Sequence, residues 1–192
     1  MPQDKLFFIA IIAPDDVAAE INIFKHDIRD NYSSKAALKT MPHITLKAPF
    51  KLSFGEREGL LDWFSKLPIA LQSFPVVIKN FGCFNNRHNK VIYVKPVMSD
   101  KLAELQSAVI SNFTAAYPKV NMSTHEHQFS PHMTIGYRDL TPENFDKAWA
   151  AYSDKHYQSA FLCQSISLLQ HNGMKWEVVA EKSLSSAPTS FS

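Results

Sequence analysis

The chain has 192 residues, of which 45% are apolar, enough for one large domain with a substantial core. The 20 Lys and Arg residues nearly balance 18 Asp and Glu, and the resulting formal charge of +2 excludes a histone-like or polybasic arm. Any nucleic-acid contact must therefore come from a local site. Two cysteines, Cys83 and Cys163, are too few for a disulfide framework or a four-cysteine zinc site.

The first apolar run, residues 6–13, is too short to span a bilayer and predicts a buried strand. Asp4 precedes this run and no small-residue cleavage pattern follows it, so we expect no signal peptide and a cytoplasmic protein. We expect no membrane contact and favour a monomer. The Ser-rich end, residues 185–192, predicts a flexible tail.

Hydrophobic periodicity divides the first half of the chain into alternating helices and strands. Apolar residues spaced four, three and four apart predict a helix that begins at Asp15, and the alternating stretch 42–49 predicts a strand. Ser53 with Glu56 three residues later is typical of a capping box and predicts the start of a second helix. Two further strands, joined as a hairpin, are predicted over residues 74–84 and 91–97.

The second half of the chain presents the same order of elements. A helix begins at Ser99 or Asp100, a strand covers residues 130–138, and a helix follows the pair Thr141-Pro142. Two last strands, joined as a hairpin at His171-Asn172-Gly173, are predicted over residues 158–170 and 174–184.

This order indicates a duplicated unit. After the first strand, the sequence helix, strand, helix, strand, strand occurs twice, which predicts repeat units of approximately 14–97 and 98–184 within one domain of residues 1–184. Hairpin connections imply antiparallel sheets. The expected fold class is therefore α+β and bilobal, with two pseudo-symmetric lobes of antiparallel sheet, helices outside and a central cleft.

A Pro-His-x-Thr motif stands in the second element of each unit, with His43 and Thr45 in the first copy and His132 and Thr134 in the second. With eleven Pro and seven Thr in the chain, a given His has roughly a 2 in 1000 chance of this context. Two of the eight histidines have it. The repetition therefore indicates a shared function rather than coincidence.

Strand geometry places the polar residues of each motif together, because residues i and i+2 of a strand point to the same side. If the lobes are related by a pseudo-twofold axis, both polar faces line the cleft. The residues predicted to share these faces are His43, Thr45 and Lys47 in the first copy, and His132, Thr134, Gly136 and Arg138 in the second.

Two imidazoles in one cleft suit phosphoryl transfer. One histidine removes a proton from the attacking oxygen, and the other protonates the leaving oxygen. Hydroxyl groups and cations stabilise the charge on the remaining phosphate oxygens. This chemistry requires no metal or other cofactor, and it leaves open which histidine is the base.

Paired His-x-Thr motifs about ninety residues apart resemble those of the two-histidine (2H) phosphoesterase superfamily. The stretch His43-Ile44-Thr45-Leu46-Lys47 is similar to the motif of its RNA 2′,5′-ligase/2′,3′-cyclic phosphodiesterase branch, as are Phe81-Gly82-Cys83-Phe84 and the following Val91-Ile92-Tyr93-Val94. The resemblance covers residues 5–184. It implies a bilobal fold with a central cleft, and cyclic or 2′,5′-linked phosphodiester chemistry on RNA ends or small nucleotides.

The sequence reading and this resemblance together give an expected set of site residues. The catalytic residues are expected to be His43, His132, Thr45 and Thr134. Phosphate contacts are expected from Lys47 and from Arg138. The family often carries Arg five residues after the second histidine; in this sequence that position is Tyr137, and Arg138 is the next residue. The expected substrate-binding residues are Lys47, Arg138, Tyr137, Phe84 and Tyr93, the aromatic rings by stacking on a nucleobase.

Two other functions compete with this one. The same cleft could serve a non-catalytic module that binds RNA ends or nucleotides, although binding alone does not need two acid–base groups. A metallohydrolase could use His125 and His127, but no His-Glu-x-x-His helix is present and a solvated loop is the favoured interpretation. The hairpin loop carrying Arg87, His88 and Lys90 is likewise expected to be solvated.

Overall fold

A computed structural model gives the fold, and it describes residues 4–86 and 89–186, without the side chains of Phe54, Asn89, Thr124 and His125. The bounds of the elements follow, with two 3₁₀ turns at Ala36–Lys39 and Phe54–Glu56. They are β1 (Lys5–Ile12), α1 (Asp15–Tyr32), β2 (His43–Leu52), α2 (Arg57–Ser65), β3 (Phe74–Asn86), β4 (Asn89–Pro96), α3 (Asp100–Ala116), α4 (Thr124–His127), β5 (Met133–Gly136), α5 (Pro142–Tyr152), β6 (Gln158–Cys163), β7 (Ser165–His171) and β8 (Trp176–Ser183).

Local sequence signals begin two of the helices as predicted. The Ser99 hydroxyl accepts a hydrogen bond from the backbone N–H of Leu102 at 3.3 Å and begins α3. The Thr141 hydroxyl accepts from the N–H of Asn144 at 3.2 Å and begins α5, with Pro142 in its first turn. Both caps satisfy backbone donors that a helix leaves unpaired at its start.

Two four-stranded antiparallel sheets form the body of the protein. Sheet 1 has the strand order β2-β1-β7-β8, and sheet 2 has the order β5-β4-β3-β6. Helices α2 and α3 pack on sheet 1, whereas α1 and α5 pack on sheet 2. The α+β class, with antiparallel sheets and helices outside, is therefore confirmed.

The chain exchanges strands between the sheets. Sheet 1 contains β1 and β2 from the first half of the chain and β7 and β8 from the second half, and sheet 2 is mixed in the same way. The prediction of one strand over residues 158–170 is wrong, because Gln164 separates β6 in sheet 2 from β7 in sheet 1. The five-element repeat read from the sequence depended on that single strand, and the second copy in fact ends with three strands.

Each sheet has one face against the main core. In β1, Phe7, Ile9 and Ile11 are buried in this core. The opposite face of sheet 1 carries a separate small cluster of Phe8, Ala10 and Leu169, to which Ile12, Met41 and Trp176 are added at the border. The odd and even residues of β1 therefore serve two different surfaces, as expected for a strand.

The end of the chain is partly ordered. Ser185, predicted to lie in a flexible tail, forms a short parallel bridge with Gln72, and its N–H donates to the Leu71 carbonyl at 3.0 Å. Residues 187–192 lie outside the described part of the chain. Within the part that is described, none of the helices has the length and apolar character that crossing a membrane requires.

Candidate active site

The two Pro-His-x-Thr motifs occupy equivalent places in the fold. His43 is the first residue of β2, the edge strand of sheet 1, and His132 directly precedes β5, the edge strand of sheet 2. The Cα atoms of these two strands approach within 8 Å. The field of His132 also reaches His43 and contributes to lowering its pKa. The structure therefore brings the two histidines into one site, although His132 lies one residue outside its strand.

The same hydrogen bond orients both imidazoles. Nδ1 of His43 donates to the Met41 carbonyl at 2.7 Å, and Nδ1 of His132 donates to the Ser130 carbonyl at 2.8 Å. A carbonyl oxygen can only accept, so the neutral ring carries its proton on Nδ1 and has its basic lone pair on Nε2. Each histidine is thus held by the carbonyl two residues before it, a feature that the sequence reading missed.

A β-bulge follows the threonine of each motif. In sheet 1, Thr45 pairs with Ala10 and Lys47 pairs with Ile9, so that one extra residue is inserted on β2. In sheet 2, Thr134 pairs with Tyr93 and Gly136 pairs with Ile92, with one extra residue on β5. A bulge interrupts the alternation of side chains. Both threonines are half-buried and lie on the same side of the strand as their histidine. The residues two positions later, Lys47 and Gly136, are buried and no longer lie on that side.

The prediction that Lys47 shares a face with His43 is wrong for this reason. The bulge turns Lys47 toward the core, where it is 1% exposed. Its ammonium group lies 2.7 Å from the Glu126 carboxylate and 4.9 Å from the centre of the Phe113 ring. Lys47 therefore connects β2 to α4 through this ion pair, and its ammonium group is not available to a ligand in the cleft.

Glu126 is buried as the partner of Lys47. Its carboxylate also accepts hydrogen bonds from the N–H of Ala48 at 2.9 Å and of Ser123 at 2.6 Å. Burial alone would raise the pKa of this carboxyl, but these donors and the Lys47 ammonium hold it below its ordinary value. The segment predicted as a solvated loop is thus the short helix α4, with a buried ion pair at its centre.

Arg138 does not lie on the face of Thr134 either. Gly136, at the position equivalent to Lys47, is buried, and a Cβ there would meet the Ile28 side chain at 3.0 Å. The strand ends at Gly136, and Arg138 is exposed, has a left-handed φ of 58°, and packs over the ring of Tyr137 at 5.1 Å. The prediction that Gly136 and Arg138 share a face with His132 and Thr134 is therefore wrong, because β5 has a bulge and ends at Gly136.

His43 lies in an apolar environment beside a buried cation. Its ring is 5.0 Å from that of Phe8, and burial lowers its pKa to about 4, with further lowering from the charge of Lys25 and from His132. Lys25, on α1, is 2% exposed and donates to the Thr40 carbonyl at 2.7 Å. Burial lowers the pKa of Lys25 to about 8. His43 is therefore neutral near pH 7.

Lys25 was not among the predicted site residues, although the sequence contains a signal for it. The buried face of α1 consists of Val17, Ile21, Lys25 and Ile28, spaced four, four and three residues apart. A lysine at a position where the helical period demands an apolar residue indicates a buried charge with a specific role.

His132 has an aromatic environment instead. Its ring lies 5.0 Å from Phe84 and 5.5 Å from Tyr93, and these two rings are 4.7 Å apart. Gly82 makes this arrangement possible, because a Cβ at this position would lie 2.5–2.7 Å from three atoms of the Tyr93 side chain. Phe84 and Tyr93, predicted to bind substrate, are thus adjacent to a motif histidine.

No metal-binding group of three His, Cys, Asp or Glu exists among the side chains described. His127 is exposed, and the side chain of His125 is not among those described, so the proposed His125/His127 pair lies partly outside them. Arg87 and His88 of the hairpin loop also lie outside the described residues. Lys90 contacts Asn85 and packs 4.9 Å over the Phe145 ring.

The chain belongs to the 2′-5′ RNA ligase superfamily, the 2H phosphoesterases, whose family model matches residues 13–175. It is 29% identical over 136 residues to a protein of Geobacillus thermodenitrificans named "Putative phosphoesterase". The aligned residues cover 71% of this chain and 73% of that relative. A protein of the same name from Staphylococcus aureus is 24% identical over 140 residues, covering 72% and 78% of the two chains.

Solved structures share the fold at low sequence identity. The structure of Escherichia coli LigT complexed with 3′-AMP superposes with a TM-score of 0.68 at 16% identity, over 95% of this chain and 99% of LigT. TT0787 of Thermus thermophilus gives a TM-score of 0.63 at 16% identity, over 94% and 98% of the two chains. These likenesses confirm the bilobal architecture expected from the sequence.

Proposed function

We propose that this protein is a phosphodiesterase that opens 2′,3′-cyclic phosphates at RNA ends or in small nucleotides, with His43 as general base and His132 as general acid. The proposal requires no metal ion. The family of the chain supports phosphoester chemistry, and the LigT structure with 3′-AMP supports a nucleotide as ligand of the cleft. Reverse 2′,5′-ligation is possible for the same site, because base and acid exchange roles in the reverse direction.

The observation that carries the proposal is the matched environment of the two imidazoles. Both donate through Nδ1 to the carbonyl two residues earlier, which assigns the reactive lone pair to Nε2 in each ring. Two such rings, one at the start of β2 and one directly before β5, can act on opposite sides of one phosphorus atom. A binding module would have no need for this duplicated control of the tautomer.

The different surroundings of the rings support the division of roles. Burial and the nearby Lys25 charge keep His43 neutral at pH 7, as a general base must be. A bound phosphate anion stabilises the imidazolium and raises the pKa of His43 toward neutrality, where a base is most effective. The acid role then falls to His132.

In the proposed reaction, water opens the cyclic phosphate with both histidines transferring protons. Nε2 of His43 takes a proton from water while the water oxygen bonds to phosphorus, and the bond from phosphorus to one ribose oxygen breaks. Nε2 of His132 gives its proton to that leaving oxygen, which becomes a hydroxyl group. A phosphomonoester remains, and proton exchange with solvent restores both rings.

Thr45 and Thr134 are proposed to donate their hydroxyl hydrogens to the other phosphate oxygens, since both lie on the side of their histidine before the bulge. Tyr93 and Phe84 are proposed to stack on the nucleobase. Lys47 has no part in substrate binding, because its charge is neutralised by Glu126 in the protein interior.

The test is a panel of the four nucleoside 2′,3′-cyclic phosphates and an RNA with a cyclic-phosphate end, incubated after exhaustive chelation. Phosphorus NMR distinguishes 2′- from 3′-monoester products. We expect turnover that chelation does not reduce. Activity lost with chelator and restored by zinc or manganese would support the metallohydrolase instead. Binding of the panel without turnover would identify a non-catalytic module.

A further inference from the structure

The face of sheet 2 that carries His132 continues beyond the catalytic residues as a positively charged surface. Tyr93 marks this face by its contact with His132, and Lys95, two residues along β4, is exposed on the same face. A step of two residues along a strand is about 7 Å. Lys95 therefore stands at roughly the reach of one nucleotide from the ring that is proposed to stack on the terminal base.

A second lysine lies opposite Lys95 on the neighbouring strand. Ile78 pairs with Pro96 and Phe81 pairs with Val94, and the residues between them on β3 oppose Lys95. Ile78 and Pro96 are buried, so Lys79 is exposed on the open face. Like charges on neighbouring strands repel each other, and an anion between them would relieve this repulsion.

Tyr157 holds the irregularity that follows Lys79 on β3. Asn80 has a left-handed φ of 61°. Its N–H donates to the Tyr157 carbonyl at 2.7 Å, and its side-chain oxygen accepts from the Tyr157 N–H at 3.2 Å. This bulge borders an open concavity of about 410 Å³, lined by Lys79, Asn80, His156, Tyr157 and Gln158. Bulges beside active sites commonly direct a side chain in this way.

The surface on sheet 2 carries two lysines, whereas a groove on sheet 1 carries a carboxylate. The groove beside Ile12 and Ser167, of about 400 Å³, contains the carboxylate of Glu181. Neither Lys79 nor Lys95 forms an ion pair with any side chain that the structure describes. The two ammonium groups therefore attract an anionic chain that leaves the catalytic site along sheet 2.

We propose that Lys79 and Lys95 form a second phosphate site, which binds the 5′-phosphate of the nucleotide whose 2′,3′-cyclic phosphate reacts. This inference rests on the proposed function and adds its substrate class: nucleotides carrying a 5′-phosphate or a 5′-linked chain, in preference to cyclic mononucleotides that end in a 5′-hydroxyl. The two ammonium groups neutralise the phosphate, while Tyr93 lies between the two phosphate sites.

The test compares three substrates that share one base: a nucleoside 2′,3′-cyclic phosphate, the same compound with a 5′-phosphate, and the dinucleotide with a cyclic-phosphate end. We expect kcat/KM to be about tenfold higher for the last two. Lys79→Gln and Lys95→Gln should remove this advantage and leave hydrolysis of the first substrate unchanged. Lys101→Gln, on the outer helix α3, is the matched control.

Salt dependence gives a second readout. Loss of one phosphate contact should reduce the slope of log(kcat/KM) against log[salt] for the dinucleotide by about one in each variant. The second site is refuted if wild type shows no preference for substrates with a 5′-phosphate. It is also refuted if both lysine variants keep the same preference as wild type.

A binding measurement separates this inference from the proposed function. The probe is a nucleoside 3′-phosphate, titrated by calorimetry with and without a 5′-phosphate. A gain in affinity from the 5′-phosphate that disappears in Lys95→Gln supports the second site even if no cyclic phosphate is hydrolysed. If hydrolysis occurs and the 5′-phosphate adds no affinity, only the second site is refuted.

Discussion

The two motif strands have the same local design and different surroundings. β2 and β5 are both edge strands, both place a histidine whose Nδ1 donates to the carbonyl two residues earlier, and both have a bulge after the threonine. His43 is packed against Phe8 and near the buried Lys25, whereas His132 packs against the rings of Phe84 and Tyr93. A duplicated geometry with unequal environments can provide a base and an acid from one residue type.

The largest expected effect comes from removing either imidazole. His43→Ala and His132→Ala should each lower turnover by about 10²–10⁴-fold, because each ring is proposed to transfer a proton in the reaction. Circular dichroism should show an unchanged fold. His26→Ala, an exposed histidine on α1, is the control and should retain full activity. Turnover close to wild type in either motif variant would refute the two-histidine mechanism.

The first cation after each motif, Lys47 two residues after Thr45 and Arg138 four residues after Thr134, should differ in its effect on stability. Glu126→Gln leaves the Lys47 ammonium buried without a counter-charge, and we expect the free energy of unfolding to fall by about 3–5 kcal/mol. Replacing both partners, as Lys47→Met with Glu126→Gln, should be milder because no buried charge remains. Denaturant unfolding measures both effects.

Arg138→Ala provides the comparison for the second motif. This side chain is exposed, and the free energy of unfolding should change by less than about 0.5 kcal/mol. A large loss of stability for Arg138→Ala, or none for Glu126→Gln, would contradict the assigned difference between the two strands.

The aromatic environment of His132 can be disturbed through Gly82. Gly82→Ala forces the Tyr93 ring away from its place, and we expect kcat/KM to fall about tenfold through weaker substrate stacking. In a Tyr93→Ala background, Gly82→Ala should lower kcat/KM little further, since the clash with the Tyr93 ring is then absent. Gly59→Ala on α2, where a Cβ meets no atom within 4 Å, is the control. Additive losses in the double variant would argue against this contact.

The smallest expected effect concerns the pH dependence of His43. A base must be neutral, so kcat/KM falls as pH drops through the pKa of His43, which burial and Lys25 hold below its ordinary value of 6.5. Lys25→Met removes the positive charge and should move this acidic limb to higher pH by about half a unit to one unit. Lys66→Met, directly after α2, should leave the limb in place. An unshifted limb in Lys25→Met would show that this charge does not control His43.

The same shift has a consequence for stability. Between pH 6.5 and about 4 the unfolded chain protonates His43 while the folded protein resists it, so the unfolded state binds more protons. The free energy of unfolding should therefore decrease as pH falls through this range. This contribution is fully present above the unfolded pKa, and it disappears from the profile when His43 is replaced by Gln.

The sequence by itself determined the class of fold, the superfamily and the residues on which the chemistry is proposed to rest. Amphipathic periods and turn residues are local, so the helices beginning at Asp15, Asp100 and Pro142 could be predicted within a residue or two. The repeated His-x-Thr pattern is local as well. Its recurrence required no knowledge of which strands pair.

The burial of charged side chains such as Lys47 depended on the tertiary structure and could not be predicted from the sequence. Lys47 is buried because β2 bulges against β1 and because Glu126, 79 residues away, supplies the counter-charge. Gln164 separates two strands because the residues before it pair with β3 in sheet 2 and the residues after it pair with β1 in sheet 1. Alternation predicts the face of a side chain only while the strand ladder is regular, and the regularity of a ladder depends on partners that are distant in sequence.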